Sequence, residues 1–292
     1  MAQSQVVWTY ADQEAFHDLA HPGYSTASDS DTFVGGWLAH RATTGDSYDE
    51  DWIRTEVAPH VTAFDYQTLP IGRAPKLLVL YGSLRDSSFS RKLAYELARL
   101  LEALGCDVRV YNPRGLPVRD PTLEDHVKVQ ELRALTQWSD GHVWVSPEMH
   151  GTVTGVFKNQ IDWIPLNTGS LRPTQGKTCL VAQVNGGSQS FNAVNALRLL
   201  ARWMRMPCCT NQSSVAKAWQ EFDEAGRMKA SGFRERVVDC AEEFAKFTAV
   251  MVPVAEQLTD RFSERQEKAR EGRLLTQAEK ETNTTIEEAR KA

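Results

Sequence analysis

The chain has 292 residues, of which 41% are hydrophobic and 24% charged, and its net charge is −5. That balance is ordinary for a globular protein and excludes the clustered basic footprint of a nucleic-acid binder. The five cysteines are odd in number and lack CxxC spacing, which argues against a disulfide framework or a zinc site.

Residues 1–75 form a distinct N-terminal stretch. Turn residues cluster at His21-Pro22-Gly23 and from Ser25 to Asp31, and an acidic patch runs from Asp46 to Asp51. Trp8, Trp37 and Trp52 lie in the same stretch, and a purely disordered tail carries few aromatics. The expectation is an arm that docks on its own core or on a neighbouring subunit. The first 20 residues lack a basic segment followed by an apolar run, and no stretch reaches the ~18 apolar residues of a membrane span. A cytoplasmic, soluble protein without membrane contact is therefore expected.

From Lys76 the pattern changes. Leu77-Leu78-Val79-Leu80-Tyr81 reads as a strand buried on both faces. A helix with Leu93, Leu97, Leu100, Leu101 and Leu104 on one stripe follows and stops at Gly105. Val108–Tyr111 reads as a second strand and Val127–Trp138 as a helix. Gly141–Val145 is a third strand, ended by Ser146-Pro147, and Val153–Trp163 is helical. Thr178–Val184 is a fourth strand before a helix over Asn192–Trp203. A short fifth strand is placed at Arg205–Cys209, and a long amphipathic helix covers Phe233–Met251. Alternating strands and helices predict an α/β fold: a doubly wound, five-stranded parallel sheet of order 2-1-3-4-5 with helices on both faces. Residues 76–252 are read as this domain. Residues 253–292, charged with scattered Leu258, Phe262, Leu274 and Leu275, read as a solvated helical tail.

Three strand-end loops carry candidate chemistry. After the first strand, Gly82-Ser83-Leu84-Arg85 leads through Ser87, Ser88 and Ser90 to Arg91 at a helix start. Unpaired amides and the positive end of the helix dipole suit a phosphate there, although a serine-rich cap reads similarly. The loop has neither GxGxxG nor GxxxxGK[ST], which disfavours a dinucleotide fingerprint and a triphosphatase. After the third strand comes Ser146-Pro147-Glu148-Met149-His150-Gly151, and after the fourth Asn185-Gly186-Gly187-Ser188-Gln189-Ser190. In a doubly wound sheet these loops share one crevice. Cys208-Cys209 invites a soft-metal reading, but neighbours on a strand point to opposite faces. No His, Asp and Glu set has metal spacing.

Residues 76–250 resemble the NADPH-dependent FMN reductases, and within them the ArsH type of arsenical-resistance flavoprotein, a family of flavodoxin-like fold. The resemblance runs through Leu80–Arg85, Ser146–Gly151, Lys158–Pro165, Arg172–Lys177, Gly186–Asn192, Asn211–Lys217 and Glu221–Met228. It implies that Ser83, Arg85, Ser88, Ser90 and Arg91 hold the FMN phosphate. It implies that Ser146, Pro147, Glu148, Met149, His150 and Gly151 line the isoalloxazine, with Gly187 and Ser188 approaching from the next loop. NADPH would pass hydride to flavin N5 without a catalytic side chain, and electrons would go on to oxygen, a quinone, an azo dye or a metal ion. Oxidation of trivalent organoarsenicals and a homotetramer are further implications. A general quinone or azo reductase and a flavodoxin-like electron carrier are the alternatives.

Overall fold

The computed structural model describes residues 36–41, 51–60, 65–165, 173–259, 261–276 and 278–283. Trp8, the turn-rich stretch before residue 32, most of the Asp46–Asp51 patch and Arg172 lie outside them. Among the described residues there are six strands: β1 (Lys76–Tyr81), β2 (Asp107–Tyr111), β3 (Gly141–Met149), β4 (Thr152–Val153), β5 (Thr178–Val184) and β6 (Ser213–Val215). The helices are α1 (Phe89–Ala103), α2 (Val127–Trp138), α3 (Gly155–Trp163), α4 (Asn192–Trp203), α5 (Ala218–Glu221), α6 (Gly232–Met251), α7 (Ala255–Thr259) and α8 (Phe262–Glu271). The main sheet is parallel, in the order β2-β1-β3-β5-β6, and β4 is an antiparallel hairpin partner at the end of β3. This is the expected doubly wound order with one small strand added.

Alternation along each strand divides the core. Leu77, Val79, Val143, Val145, Leu180 and Ala182 face α1 and α6, while Leu78, Leu80, Trp144, Cys179 and Val181 face α2, α3 and α4. Helix starts are fixed by side-chain caps that satisfy otherwise orphan amides: Ser88 for α1, Thr154 for α3 and Ser231 for α6.

Three boundaries differ from expectation. β3 does not end at Ser146-Pro147 but continues to Met149, pairing Ser146 with Gln183 and Pro147 with Val184. Val153 belongs with Thr152 to β4 rather than to the helix, which starts at Gly155 because Thr154 caps it through the Phe157 amide. The fifth parallel strand is Ser213–Val215 rather than Arg205–Cys209. Arg205 takes a left-handed φ of 61° after α4, and Pro207 has no N–H, so that segment makes only the isolated Cys179–Cys208 bridge.

The described parts of residues 36–75 lie against the domain. Trp37 is buried in the α2–α4 half of the core, and its carbonyl accepts the Val110 amide of β2 at 2.9 Å. Its indole Nε1 donates to buried Glu131 at 2.8 Å, and the Arg109 guanidinium lies 4.9 Å from its ring and 4.2 Å from that of Trp138. By Arg41, which donates to Glu102 of α1 at 2.9 Å, the chain has rounded the β2 border to the opposite face. There Trp52 is buried and donates to Glu96 at 2.8 Å. At the other terminus Leu274 and Leu275 are buried, unlike the scattered exposed positions expected of the tail.

Candidate functional site

A cleft of about 760 Å³ opens beyond the carboxyl ends of β1, β3 and β5, where the three loops meet. Its floor is Gly82. A Cβ there would stand 2.7 Å from Thr154 Oγ1 and 2.8 Å from Phe157 Cβ, so only glycine allows α3 this close. Thr154 Oγ1 donates to the Gly82 carbonyl at 2.7 Å and also caps α3, locking strand end to helix start.

The first wall is the β1–α1 loop. Ser88 Oγ accepts the Arg91 amide at 3.1 Å and contacts Ser90 Oγ at 3.0 Å. The amides of Phe89 and Ser90 have no acceptor among the described residues, as expected of a helix first turn. Arg85 is exposed on the loop, and its guanidinium has no hydrogen bond or ion pair among the described residues. Arg91 and Arg114 instead buttress the loop from outside: Arg91 donates to the Asp86 carbonyl, and Arg114 donates to the Leu84 carbonyl and to Asp86 Oδ1, each at 3.0 Å. The result is a loop with free donors and a braced backbone.

The second wall comes from β3 and β4. His150 and Gly151, with φ of 51° and 75°, form the two-residue turn of this hairpin, the conformation that favours glycine at its second position. Pro147, Glu148 and Met149 face the cleft. Burial alone would raise the Glu148 carboxyl, but hydrogen bonds from Ser190, Gln183, the Ala193 amide and Asn192 outweigh it and hold it below the usual range. Glu148 is therefore an ionised clamp joining the second loop to the third and to the start of α4. Ser146 is a brace: its Oγ accepts the Thr154 amide at 3.2 Å and donates to the Pro147 carbonyl at 2.9 Å.

The third wall is Asn185 and Gly186 with α5 behind them, which contributes Ala218 and Trp219. A Cβ on Gly186 would meet nothing within 4 Å, so the space above it is open. Asn185 Oδ1 is buried without a hydrogen-bond partner.

Of the residues singled out from sequence, Ser83, Arg85, Ser88, Ser90, Pro147, Glu148 and Met149 line this cleft. Arg91, Ser146, His150, Gly151, Gly187 and Ser188 do not; they buttress, turn or lie outside it. Asn185, named in the third loop, lines it too, and Thr154 and Trp219 line it without having been singled out. The signal for Thr154 was present, since a threonine just before a helix is a cap. Cys208 and Cys209 do point apart. Cys208 packs in the α2–α4 half beside Cys179, while Cys209 lies in the other half and donates to Glu243 at 3.1 Å. Among the described residues no three His, Cys, Asp or Glu side chains are placed to hold a metal. A second groove of about 910 Å³ lies between α4, residues 210–214 and the start of α6, and includes Arg198 and Arg236. Arg198 is committed to Gln212 and the Thr210 carbonyl, and Arg236 to Asn211, so neither guanidinium is uncommitted in the way that of Arg85 is.

Comparison with known proteins gives a consistent picture. Residues 75–220 match the family model described as NADPH-dependent FMN reductase. A protein of Rhizobium meliloti (strain 1021) named NADPH-dependent FMN reductase ArsH is 61% identical over 197 residues, 68% of this chain and 82% of that protein. A quinone reductase of Pseudomonas putida is 27% identical over 167 residues, covering 55% of this chain and 89% of its own. The solved structure of FerB, a flavoenzyme NAD(P)H:(acceptor) oxidoreductase from Paracoccus denitrificans, superposes with a TM-score of 0.52 at 19% identity, over 62% of this chain and 99% of that one, a likeness of fold.

Proposed function

Because this chain belongs to the NADPH-dependent FMN reductase family, it is an oxidoreductase that uses FMN and NADPH, and we propose that FMN sits in the cleft between the three strand-end loops. The donor set fits the group. The free Phe89 and Ser90 amides, the uncommitted Arg85 guanidinium and the Ser83 and Ser87 hydroxyls suit a phosphate. The open space over Gly186, the apolar Val156 and Met149 side chains and the orphan Asn185 Oδ1 suit a flat ring with a polar N–H edge. Bound FMN supplies the two-electron chemistry, while the chain's residues hold it, orient it and screen it from water. Arg85 and the α1 amides bind the phosphate end, and Arg91 and Arg114 keep that loop in shape. Glu148 holds the second and third loops together. No side chain is given a proton-transfer or nucleophilic role.

The proposed physiological role is arsenical handling, with dioxygen as the oxidant: trivalent organoarsenical plus O2 plus NADPH plus a proton gives the pentavalent arsenical, water and NADP⁺. The observation that carries it is the 61% identity to a protein named ArsH. The test supplies purified protein and NADPH under air with methylarsenite, and in parallel with a quinone. Arsenical oxidation tied to NADPH use supports the role. Turnover of the quinone with the arsenical untouched removes it and leaves the second reading, a general quinone reductase, which the exposed apolar rim of the cleft favours. NADPH left unconsumed with every acceptor favours an electron carrier instead.

The proposal extends to assembly and place. A homotetramer of the 32.8 kDa chain in the cytoplasm is proposed, with residues 1–75 as an arm docked on the 76–252 domain or a neighbouring subunit and residues 253–292 as a charged helical tail. Exposed Leu199 and Trp203, one turn apart on α4, offer a face for association, and light scattering of the purified protein measures the mass. Among the described residues no helix is long and apolar enough to cross a membrane.

A further inference from the structure

The turn that launches α5 has an uncommon backbone. Lys217 lies in the left-handed region, with φ 46° and ψ 45°, where few residues other than glycine are found. Two hydrogen bonds hold it there: the Lys217 amide donates to the Gly187 carbonyl at 3.1 Å and the Ala218 amide to the Asn185 carbonyl at 3.0 Å. The short helix therefore hangs from the third loop of the cleft. Ala218 is buried, and the next side chain, Trp219, is 58% exposed at the cleft wall with no ring contact or side-chain hydrogen bond among the described residues. Two more large apolar side chains line the same space while exposed, Leu84 at 45% and Met149 at 51%. They come from the first and second loops. Three large hydrophobic groups from separate segments, left in water around one opening, mark a surface that a ligand covers.

Resting on the FMN reading above, we propose that Trp219 is the outer wall of a slot for a planar second substrate, and that it sets the enzyme's preference for flat aromatic or quinonoid acceptors. The indole offers a stacking face, and Leu84 and Met149 close the edges against water. A flat ring sheds water on both faces and gains the stacking contact, whereas a compact, highly charged acceptor gains neither. Trp219 takes no part in the electron transfer itself. The overall reaction balances as quinone plus NADPH plus a proton to hydroquinone plus NADP⁺.

The test compares FMN-loaded wild type, Trp219→Ala and Trp219→Phe at saturating NADPH, with 1,4-naphthoquinone and ferricyanide as acceptors. Losing the stacking face should lower kcat/KM for the quinone about tenfold in Trp219→Ala, mainly through KM. Trp219→Phe should keep most of the wild-type value, and kcat/KM for ferricyanide should fall in Trp219→Ala by much less than the quinone value does. An unchanged quinone KM in Trp219→Ala, or an equal fall for both acceptors, overturns the proposal. Visible spectra separate the two levels: a wild-type protein that takes up no FMN overturns the cofactor reading and this inference with it. A yellow, active wild type whose acceptor preference ignores residue 219 overturns this inference alone.

Discussion

Replacing Arg85 with alanine removes one positive charge from the first cleft loop and little else. The side chain is exposed, and the residue's own backbone amide, which the substitution leaves in place, still donates to Ser83 Oγ at 3.3 Å. A surface change of this kind shifts folding stability by no more than about 0.5 kcal/mol. A charge-assisted hydrogen bond typically contributes about 1.5–3 kcal/mol. Solvent screening at this exposed position puts Arg85 at the low end, about 1.5–2 kcal/mol, or roughly ten- to thirtyfold in the FMN dissociation constant. The assay titrates apoprotein with FMN and with riboflavin, following flavin fluorescence. Riboflavin lacks the phosphate, so its affinity should stay equal in wild type and Arg85→Ala, and the FMN penalty should shrink in about 1 M salt. If FMN affinity is unchanged, or if FMN and riboflavin weaken together, the anion site is not where the loop geometry puts it.

Gly82→Ala should cost about 1–3 kcal/mol, since its Cβ would press on Thr154 and Phe157; a urea midpoint equal to wild type would show that the floor yields freely. Burial, with a lesser contribution from Lys177, holds the His142 imidazole down at about 3 against its ordinary 6.5. The unfolded chain therefore binds the extra proton between those values, and stability falls with pH below 6.5 by about 1.4 kcal/mol per unit, or about 2 kcal/mol by pH 5. His142→Asn should flatten that part of the urea-derived stability profile, and an equal slope in both proteins would contradict the account. Trp37→Ala should lower stability by about 3–5 kcal/mol while leaving FMN affinity intact, and an unchanged melting temperature would show that the arm adds nothing to the core.

What the sequence announced was local. Strand β5 and helices α2 and α4 fall where the runs Thr178–Val184, Val127–Trp138 and Asn192–Trp203 placed them, because a mostly apolar run or a 3.6-residue stripe states its own period. Strand β6 was missed because Ser213-Ser214-Val215 is three residues long with two hydroxyls, and only its neighbour β5 makes it a strand. The glycine- and serine-rich loops revealed the cleft. They did not reveal which side chains face it: Ser146 and Arg91 look like ligands in a motif and are braces in space. Trp219 was invisible for the opposite reason. A tryptophan in sequence usually signals burial, and its exposure follows from the left-handed turn at Lys217.

The course of the chain around β2 bears on a different matter, how the molecule avoids sticking to itself. A sheet border is hazardous when it offers a row of unpaired N–H and C=O groups to a passing strand. Here the β2 border has its Val110 amide taken by Trp37, and the opposite border, β6, is only three residues long. Among the described residues, one border of the sheet is thus partly occupied and the other is short. That protection is only as durable as the hold of Trp37. On heating, release of the arm would bare the β2 border while the rest of the sheet is still intact, and aggregation would track the loss of that one tryptophan anchor rather than melting of the core.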